Sequence, residues 1–461
     1  MPRRPRALRL LPLLAVVALL SVFGRTSPPA DPELVTLAAV AEREALPAHT
    51  ATRVAVRIES AAAARSQDAS VPVNLALVLD TSGSMVGAPI EEARAALHSV
   101  VDQLRPQDHL TIVTFDSRAQ VVLPRVRLDD IDRDEIHERI DAVEARGTTD
   151  LAAGLGTALQ QLEPEREAGD LDRLVLVGDG VPNDATPLPG YVEHARHLGV
   201  AITALGVGLD YDEVLLGRLA RDTGGRFHHA DCGEELATLL ADEVFGAQRQ
   251  VAGNVRLQLS TGPGVTIARI VGATGEMTGV HSYQVVLGDL AEGQQQDTYV
   301  ELEVAPQQPG TTVELLDAIV AFDDRVGGVG RLERRSFIAM PVSTDLAVLA
   351  VADPDVHTGL VAARAAAATI DAIELSRKGQ IDQAERLLED NDNALDAAQQ
   401  LDNDDGRRPQ LEQQRQEITR LRGELHDYRV AAPTPAAPRG PELERAAKAA
   451  NENATDLLQA H

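Results

Sequence analysis

The chain predicts an α/β fold: a doubly wound, mostly parallel sheet, inserted in or followed by an antiparallel β-sandwich, with an α-helical region at its C-terminal end. Three observations predict it. Between residues 74 and about 240, short β-branched apolar runs alternate with amphipathic stretches of helical length, the pattern of strands joined by helical crossovers. On both sides of that unit the texture changes to period-two alternation broken by Gly and Pro turns, as in half-buried antiparallel strands. After Asp353-Pro354 apolar residues return to three- and four-residue spacing, which is helical. At 461 residues the chain also exceeds what one core holds, since single cores stop growing at roughly 250–300 residues.

Residues 1–30 stand outside the fold. Arg3, Arg4, Arg6 and Arg9 precede an apolar run over 10–24, closed by Arg25-Thr26-Ser27-Pro28-Pro29. This is the pattern of a secretory signal, and the run is shorter than the ~20 residues of a membrane span. An uncleaved N-terminal anchor remains the alternative. Either way the chain is expected outside the cytoplasm, extracellular or in the cell envelope.

Residues 32–72 follow with the alternating run Thr52-Arg53-Val54-Ala55-Val56-Arg57-Ile58, expected to contribute strands to the sandwich. The α/β unit occupies 73–249. Its strands read as 74–79, 109–115, 174–177 and 200–207, apolar and uninterrupted as expected of strands buried on both faces. Helices read as 90–104, 131–143, 151–162 and 192–198. Residues 250–345 resume the alternation at 255–259, 284–287 and 299–304, with turns at 261–264, 307–310 and 327–330. The 354–428 region reads as a helical hairpin followed by a charged helix. Residues 429–461 read as an Ala/Pro linker and then a C-terminal helix or tail. Within the hairpin, residues 379–388 resemble the turn and second helix of a tetratricopeptide-type unit, without the stacked neighbours that such units need.

The residues that carry chemistry follow the first buried strand: Asp80-Thr81-Ser82-Gly83-Ser84. In a parallel sheet ligands bind beyond the carboxyl ends of strands. Alternate residues of an extended loop point the same way, which turns the carboxylate of Asp80 and the hydroxyls of Ser82 and Ser84 toward one point. Hard oxygen donors of this kind suit Mg2+, with Mn2+ or Ca2+ as alternatives, and not a soft metal.

This loop resembles that of the von Willebrand factor A domain, a Rossmann-like fold with a metal-ion-dependent adhesion site. That family's site combines an Asp-x-Ser-x-Ser loop with a Thr from a second loop and an Asp from a third. Arg146-Gly147-Thr148-Thr149-Asp150 resembles the second loop, which implies Thr149. Val177-Gly178-Asp179-Gly180 resembles the third, which implies Asp179, with Gly178 where the family has Thr. Thr223-Gly224-Gly225-Arg226-Phe227 resembles the family's last passage from helix to strand. An A domain followed by strands that include Leu287-Gly288-Asp289-Leu290 is similar to exported bacterial proteins often labelled calcium-activated chloride channel homologues. The resemblance implies a metal-dependent protein-binding or adhesion module in which an Asp or Glu of a partner protein completes the coordination of the ion. An envelope scaffold or complex-assembly factor that docks through the A domain and the C-terminal helices is the alternative.

Composition narrows the partners. With 43 basic against 71 acidic residues the formal charge is −28, which opposes nucleic acid and anionic membrane surfaces. Cys232 is the single cysteine, so an intrachain disulfide and a Cys-rich metal site are excluded. The chain is expected not to be an enzyme: it has no phosphate-binding Gly-rich Lys loop, no Gly-x-Ser-x-Gly elbow and no legible nucleophile–base pair. His228-His229 with Cys232 reads as a strand end rather than a zinc site, because adjacent strand residues point to opposite faces. The acidic runs 129–134 and 402–406 lack an EF-hand's Gly and distal Glu and read as a helix start or a solvated loop.

Overall fold

The computed structural model describes residues 34–64, 72–163, 171–231, 233–247, 249–273, 275–401, 407–431 and 439–459. The N-terminal signal or anchor segment, Cys232, the acidic run 402–406 and most of the Ala/Pro linker lie outside the described residues.

The first three strands are β1 (Val35–Ala41), β2 (Leu46–Pro47) and β3 (Thr52–Ala62). The chain then enters the α/β unit: β4 (Val73–Asp80), α1 (Ala88–Gln103), β5 (His109–Phe115), β6 (Ala119–Arg127), α2 (Arg133–Asp141), α3 (Leu151–Leu162), β7 (Leu171–Gly178), α4 (Leu188–Leu198), β8 (Ala201–Val207), α5 (Glu213–Thr223), β9 (Phe227–Ala230) and α6 (Gly233–Ala247). These strands form one sheet in the order β6-β5-β4-β7-β8-β9, parallel except for the antiparallel edge strand β6. Every residue of β4, β5, β7 and β8 is buried, because helices cover both faces. Two apolar clusters result: Leu75, Leu77, Leu79, Leu97, Val100 and Ile112 on one face, and Val78, Phe115, Leu155, Leu176 and Ile202 on the other. The sequence reading has no strand at β6. Its half-exposed residues and Pro124 weaken the strand signal, and an edge position is where a residue without an N–H is tolerated.

Helix starts follow local chemistry. Asp132, Asp150 and Asp212 cap α2, α3 and α5 by accepting from main-chain N–H groups two or three residues on. Thus the acidic run 129–134 begins a helix. The glycines Gly199 and Gly224 close α4 and α5 in the left-handed conformation.

Beyond α6 come β10 (Gln250–Thr261), β11 (Val265–Val271), β12 (Gly275–Gly279), β13 (Ser282–Ala291), β14 (Gln295–Val304), β15 (Thr312–Asp324) and β16 (Gly330–Ser343). They form a sandwich with the N-terminal strands. One sheet runs β1-β3-β14-β11 and the other β12-β13-β10-β15-β16-β2. β14 pairs with β3 over ten residues, from Gln295 opposite Ala61 to Val304 opposite Thr52. The α/β unit is therefore inserted between two halves of one sandwich, whose core holds Val56, Ile58, Leu257, Leu259, Val300, Leu316 and Phe322.

After the short α7 (Leu346–Leu349), four helices complete the chain: α8 (Pro354–Arg377), α9 (Ile381–Leu401), α10 (Arg408–Ala431) and α11 (Pro441–Gln459). The hairpin expected over 354–428 is α8 with α9, and it is not free-standing. Leu411, Ile418, Leu421 and Leu425 of α10 and Leu443, Ala447 and Ala454 of α11 close its core, to which Val214 of α5 also belongs. Residues 441–459, left open between helix and tail by the sequence, are helical because their alanine face is buried there.

Candidate metal centre

The strand order places the carboxyl ends of β4, β5, β7 and β8 on one edge of the sheet. Each of those ends is followed closely by an aspartate: Asp80 on β4 itself, Asp116 after β5, Asp179 after β7 and Asp210 after β8. Sheet geometry therefore concentrates negative charge where three loops meet.

Within that edge the five residues read from the sequence come together. Asp80 is buried and its Oδ1 accepts from the Ser82 N–H at 2.8 Å. The Ser82 and Ser84 hydroxyls lie 3.0 Å apart, and Ser84 Oγ donates to Asp179 Oδ1 at 2.7 Å. The second loop closes on the first through main chain: Arg146 N–H donates to Thr81 O at 2.6 Å and Gly83 N–H to Gly147 O at 3.1 Å. The third joins through the Asn183 N–H, which donates to Thr149 O at 3.0 Å. Thr149 is almost fully buried, and it does not cap α3. That work falls to Asp150, whose carboxylate accepts from the Ala153 N–H at 3.0 Å, leaving the Thr149 hydroxyl available to the site.

Gly180 shows how tightly the hydroxyl and the carboxylate converge. A Cβ there would stand 2.9 Å from Thr149 Oγ1 and 3.4 Å from Asp80 Oδ2, so any side chain would fill the cradle. A Cβ at Gly178 would likewise press on the Asp80 side chain at 3.3 Å. Gly147 sits at φ 82, with Ser117 Oγ only 2.7 Å from where its Cβ would be. The loop needs glycine there on both counts.

Electrostatics fit a cation. Burial pushes the Asp80 carboxyl up to about 6, against the hydrogen bonds from Ser82, and nearby Asp179 and Asp116 add to the rise. Burial also raises Asp179, partly offset by Ser84. Among the described residues neither carboxylate is in a salt bridge. Buried carboxylates without a counter-charge are costly, and a divalent ion among five oxygen-bearing side chains removes that cost. Ser84 is exposed, so the centre opens to solvent on the loop side.

Sequence reasoning missed Asp116, whose charge reaches Asp80 and which pairs with Arg146 at 3.6 Å. It also missed Asp210, which acts on Asp179. The signal for both was the rule already applied to Asp80, that residues just past a parallel strand's carboxyl end face the site. His228 and His229 point to opposite sides of β9 as expected, His228 to Glu243 at 3.0 Å and His229 to the Tyr211 hydroxyl at 2.8 Å.

Comparison with known proteins identifies the α/β unit. Residues 74–242 match the family described as von Willebrand factor type A domain. The chain is 28% identical over 266 residues to the uncharacterized protein YfbK of Escherichia coli (strain K12), covering 56% of this chain and 46% of YfbK, so it spans about half the length of that relative. Among solved structures, a von Willebrand factor type A protein from Catenulispora acidiphila superposes with a TM-score of 0.68 at 16% identity, over 84% of this chain and 89% of that one. The ArnB paralog VWA2 from Sulfolobus acidocaldarius gives 0.63 at 16% identity, over 92% of this chain and 98% of that one. Von Willebrand factor A domains typically hold a divalent metal at a site of this kind and commonly mediate metal-dependent protein interaction.

Proposed function

From the premise that residues 74–242 are a von Willebrand factor type A domain, we propose that this chain binds a partner protein outside the cytoplasm through a divalent cation, Mg2+ or its substitutes Mn2+ and Ca2+. Asp80, Ser82, Ser84, Thr149 and Asp179 would hold the ion, and an Asp or Glu of the partner would complete its coordination. The observation that carries the reading is the pair of buried carboxylates, Asp80 and Asp179, linked through Ser82 and Ser84 and in no salt bridge among the described residues.

When bound, the ion supplies a Lewis-acidic position for an incoming carboxylate. The chain's own residues do the rest. The two serines and Thr149 present neutral oxygens, so little of the ion's charge is cancelled at the open position. Buried Asp80 and Asp179 provide the compensating negative charge and fix the serines by hydrogen bonds. Specificity belongs to the rim, where Val86 and Val181 are exposed beside the Met85-Val86-Gly87 and Pro182-Asn183-Asp184 loops and Thr148. The role proposed is binding: Asp80, Ser82, Ser84, Thr149 and Asp179 are all assigned to holding the ion, and the incoming carboxylate takes its open position.

The test is a pull-down from extracellular or envelope extract with Mg2+ or Mn2+ present. Capture should be lost on chelation and in Asp80→Ala, and restored to the wild-type chain when the ion returns. Capture that survives both treatments would overturn the reading and favour docking through the helices.

A further inference from the structure

A cluster on the helical surface, about 15 Å along α1 from its start, has the makings of a second cation site. α1 and α2 each carry a His-x-x-x-Asp pair, His98 with Asp102 and His137 with Asp141. This i,i+4 spacing puts both members of a pair on one helical face. The helices pack together and the pairs cross. His98 Nε2 lies 2.9 Å from Asp141 Oδ1, and His137 Nε2 lies 3.1 Å from Asp102 Oδ1. The remaining ring nitrogens face each other, Nδ1 to Nδ1 at 2.6 Å, with ring centroids 4.8 Å apart.

Proton placement makes that approach informative. A neutral imidazole has one N–H, and a carboxylate opposite Nε2 holds it on Nε2. With both rings so held, two lone pairs point at each other, which is repulsive unless a positive charge lies between them. The neighbouring arginines do not supply it. Arg94 is engaged by Glu91 and the Val143 carbonyl, and Arg133 by the carbonyls of Val101 and Leu104. Imidazoles oriented by a carboxylate on the far nitrogen are how proteins present histidine to metals. Both rings are about a quarter exposed, so an ion has a way in.

We propose that His98 and His137 bind a borderline transition-metal ion, Zn2+ or Cu2+, through their Nδ1 atoms, clasping α1 to α2. Asp102 and Asp141 orient the rings and balance the charge, and water fills the other positions. Nitrogen donors select this class of ion over the hard cations suited to the Asp80 loop. No group of three or more His, Cys, Asp or Glu converges on one point among the described residues, so this site has two protein ligands and exchanges its ion readily. Zn–N bonds of 2.0–2.1 Å at a tetrahedral angle set the nitrogens about 3.3 Å apart, so the rings must part by about 0.7 Å. Side-chain rotation on the surface accommodates that.

The test uses the Asp80→Ala chain, so that the other centre does not contribute, with Zn2+ alone as probe, titrated against a chromophoric chelator near neutral pH. One equivalent is expected. It should be lost when either His98→Gln or His137→Gln is added, and weakened about 10- to 100-fold by Asp141→Asn. With Cu2+, the electron paramagnetic resonance spectrum should show hyperfine coupling to two imidazole nitrogens, absent from both His variants. Uptake indifferent to both substitutions overturns the proposal. So does the absence of uptake by the Asp80→Ala chain, which would assign the short approach to a shared proton. Far-ultraviolet circular dichroism on each variant separates loss of the site from loss of the fold, and if one His variant is unfolded the other decides.

Discussion

Burial of its carboxyls, Asp80 above all, shapes how the candidate metal centre responds to pH. Burial holds Asp80 in the folded chain at about 6, above its ordinary 3.8. The folded state therefore binds more protons than the unfolded one between those values, and the ion-free protein loses stability as pH rises through that window. A divalent ion needs the deprotonated form. Affinity for Mn2+ is expected to rise about tenfold per pH unit up to about pH 6 and then level off. Calorimetric titration across that range checks it, and a flat profile below pH 6 would mean that Asp80 is ionised throughout. At this scale the spacing of Asp80, Ser82 and Ser84 was legible because it is local, while Thr149 and Asp179 were reached through the family resemblance, and the fold brings all five together. Less legible was the division of labour between Thr149 and Asp150. Either can cap a helix, and only the path of the second loop decides which hydroxyl or carboxylate turns toward Ala153.

Between elements, a buried ion cluster joins α11 and α8 to the start of α5. Glu213, fully buried at the first turn of α5, receives Arg377 from α8, Lys448 from α11 at 3.4 Å and Arg439 at 3.6 Å. Burial works to raise Glu213, and the three cations outweigh it and hold the carboxyl below its usual range. Lys448 is itself lowered, because burial costs its ammonium more than a carboxylate shared with two arginines returns. Its ammonium also donates to the Tyr211 carbonyl at 3.2 Å, lies 3.9 Å from Glu444 and stands over the Tyr211 ring, 3.7 Å to the centroid. Removing the carboxylate takes the principal counter-charge from fully buried Lys448 and from Arg377, whereas Arg439 keeps Glu444 at 2.7 Å. Glu213→Ala is expected to cost about 3–5 kcal/mol in chemical denaturation, with the loss reaching α11 as well as the A domain. A change under about 1 kcal/mol would show that solvent already serves the cations. None of this was legible in the sequence. Lys448 lies in an Ala-rich stretch that also suits a free tail, and its partner is more than 200 residues earlier.

For the whole molecule, the decisive feature is how the inserted A domain is held against the sandwich. Two glycine motifs singled out in the sequence meet there. Gly288, at φ 88, lies against Gly224, and a Cβ at Gly288 would stand 2.2 Å from Gly224 O. Asp289, next in the chain, pairs with buried Arg173 of β7 at 2.8 Å and accepts from the Asn254 N–H at 2.5 Å. Gly288→Ala is expected to destabilise the chain by about 3 kcal/mol, combining left-handed backbone strain with overpacking. Thermal unfolding with separate probes of the A domain and the sandwich checks this, and both transitions should move together. The sequence by itself determined the α/β class of the insert, the sandwich on either side of it and the helical C-terminal region, and its family resemblance pointed to the three loops that the fold brings together. Hydrophobic periods and turn motifs act over a few residues and are written locally. Only the tertiary structure decided that α11 is a docked helix, that Glu213 is its anchor, that the two glycine motifs touch, and that the His-Asp pairs of α1 and α2 cross. Each of those depends on packing between distant segments, where burial and charge partners are set by the whole fold and by no local pattern.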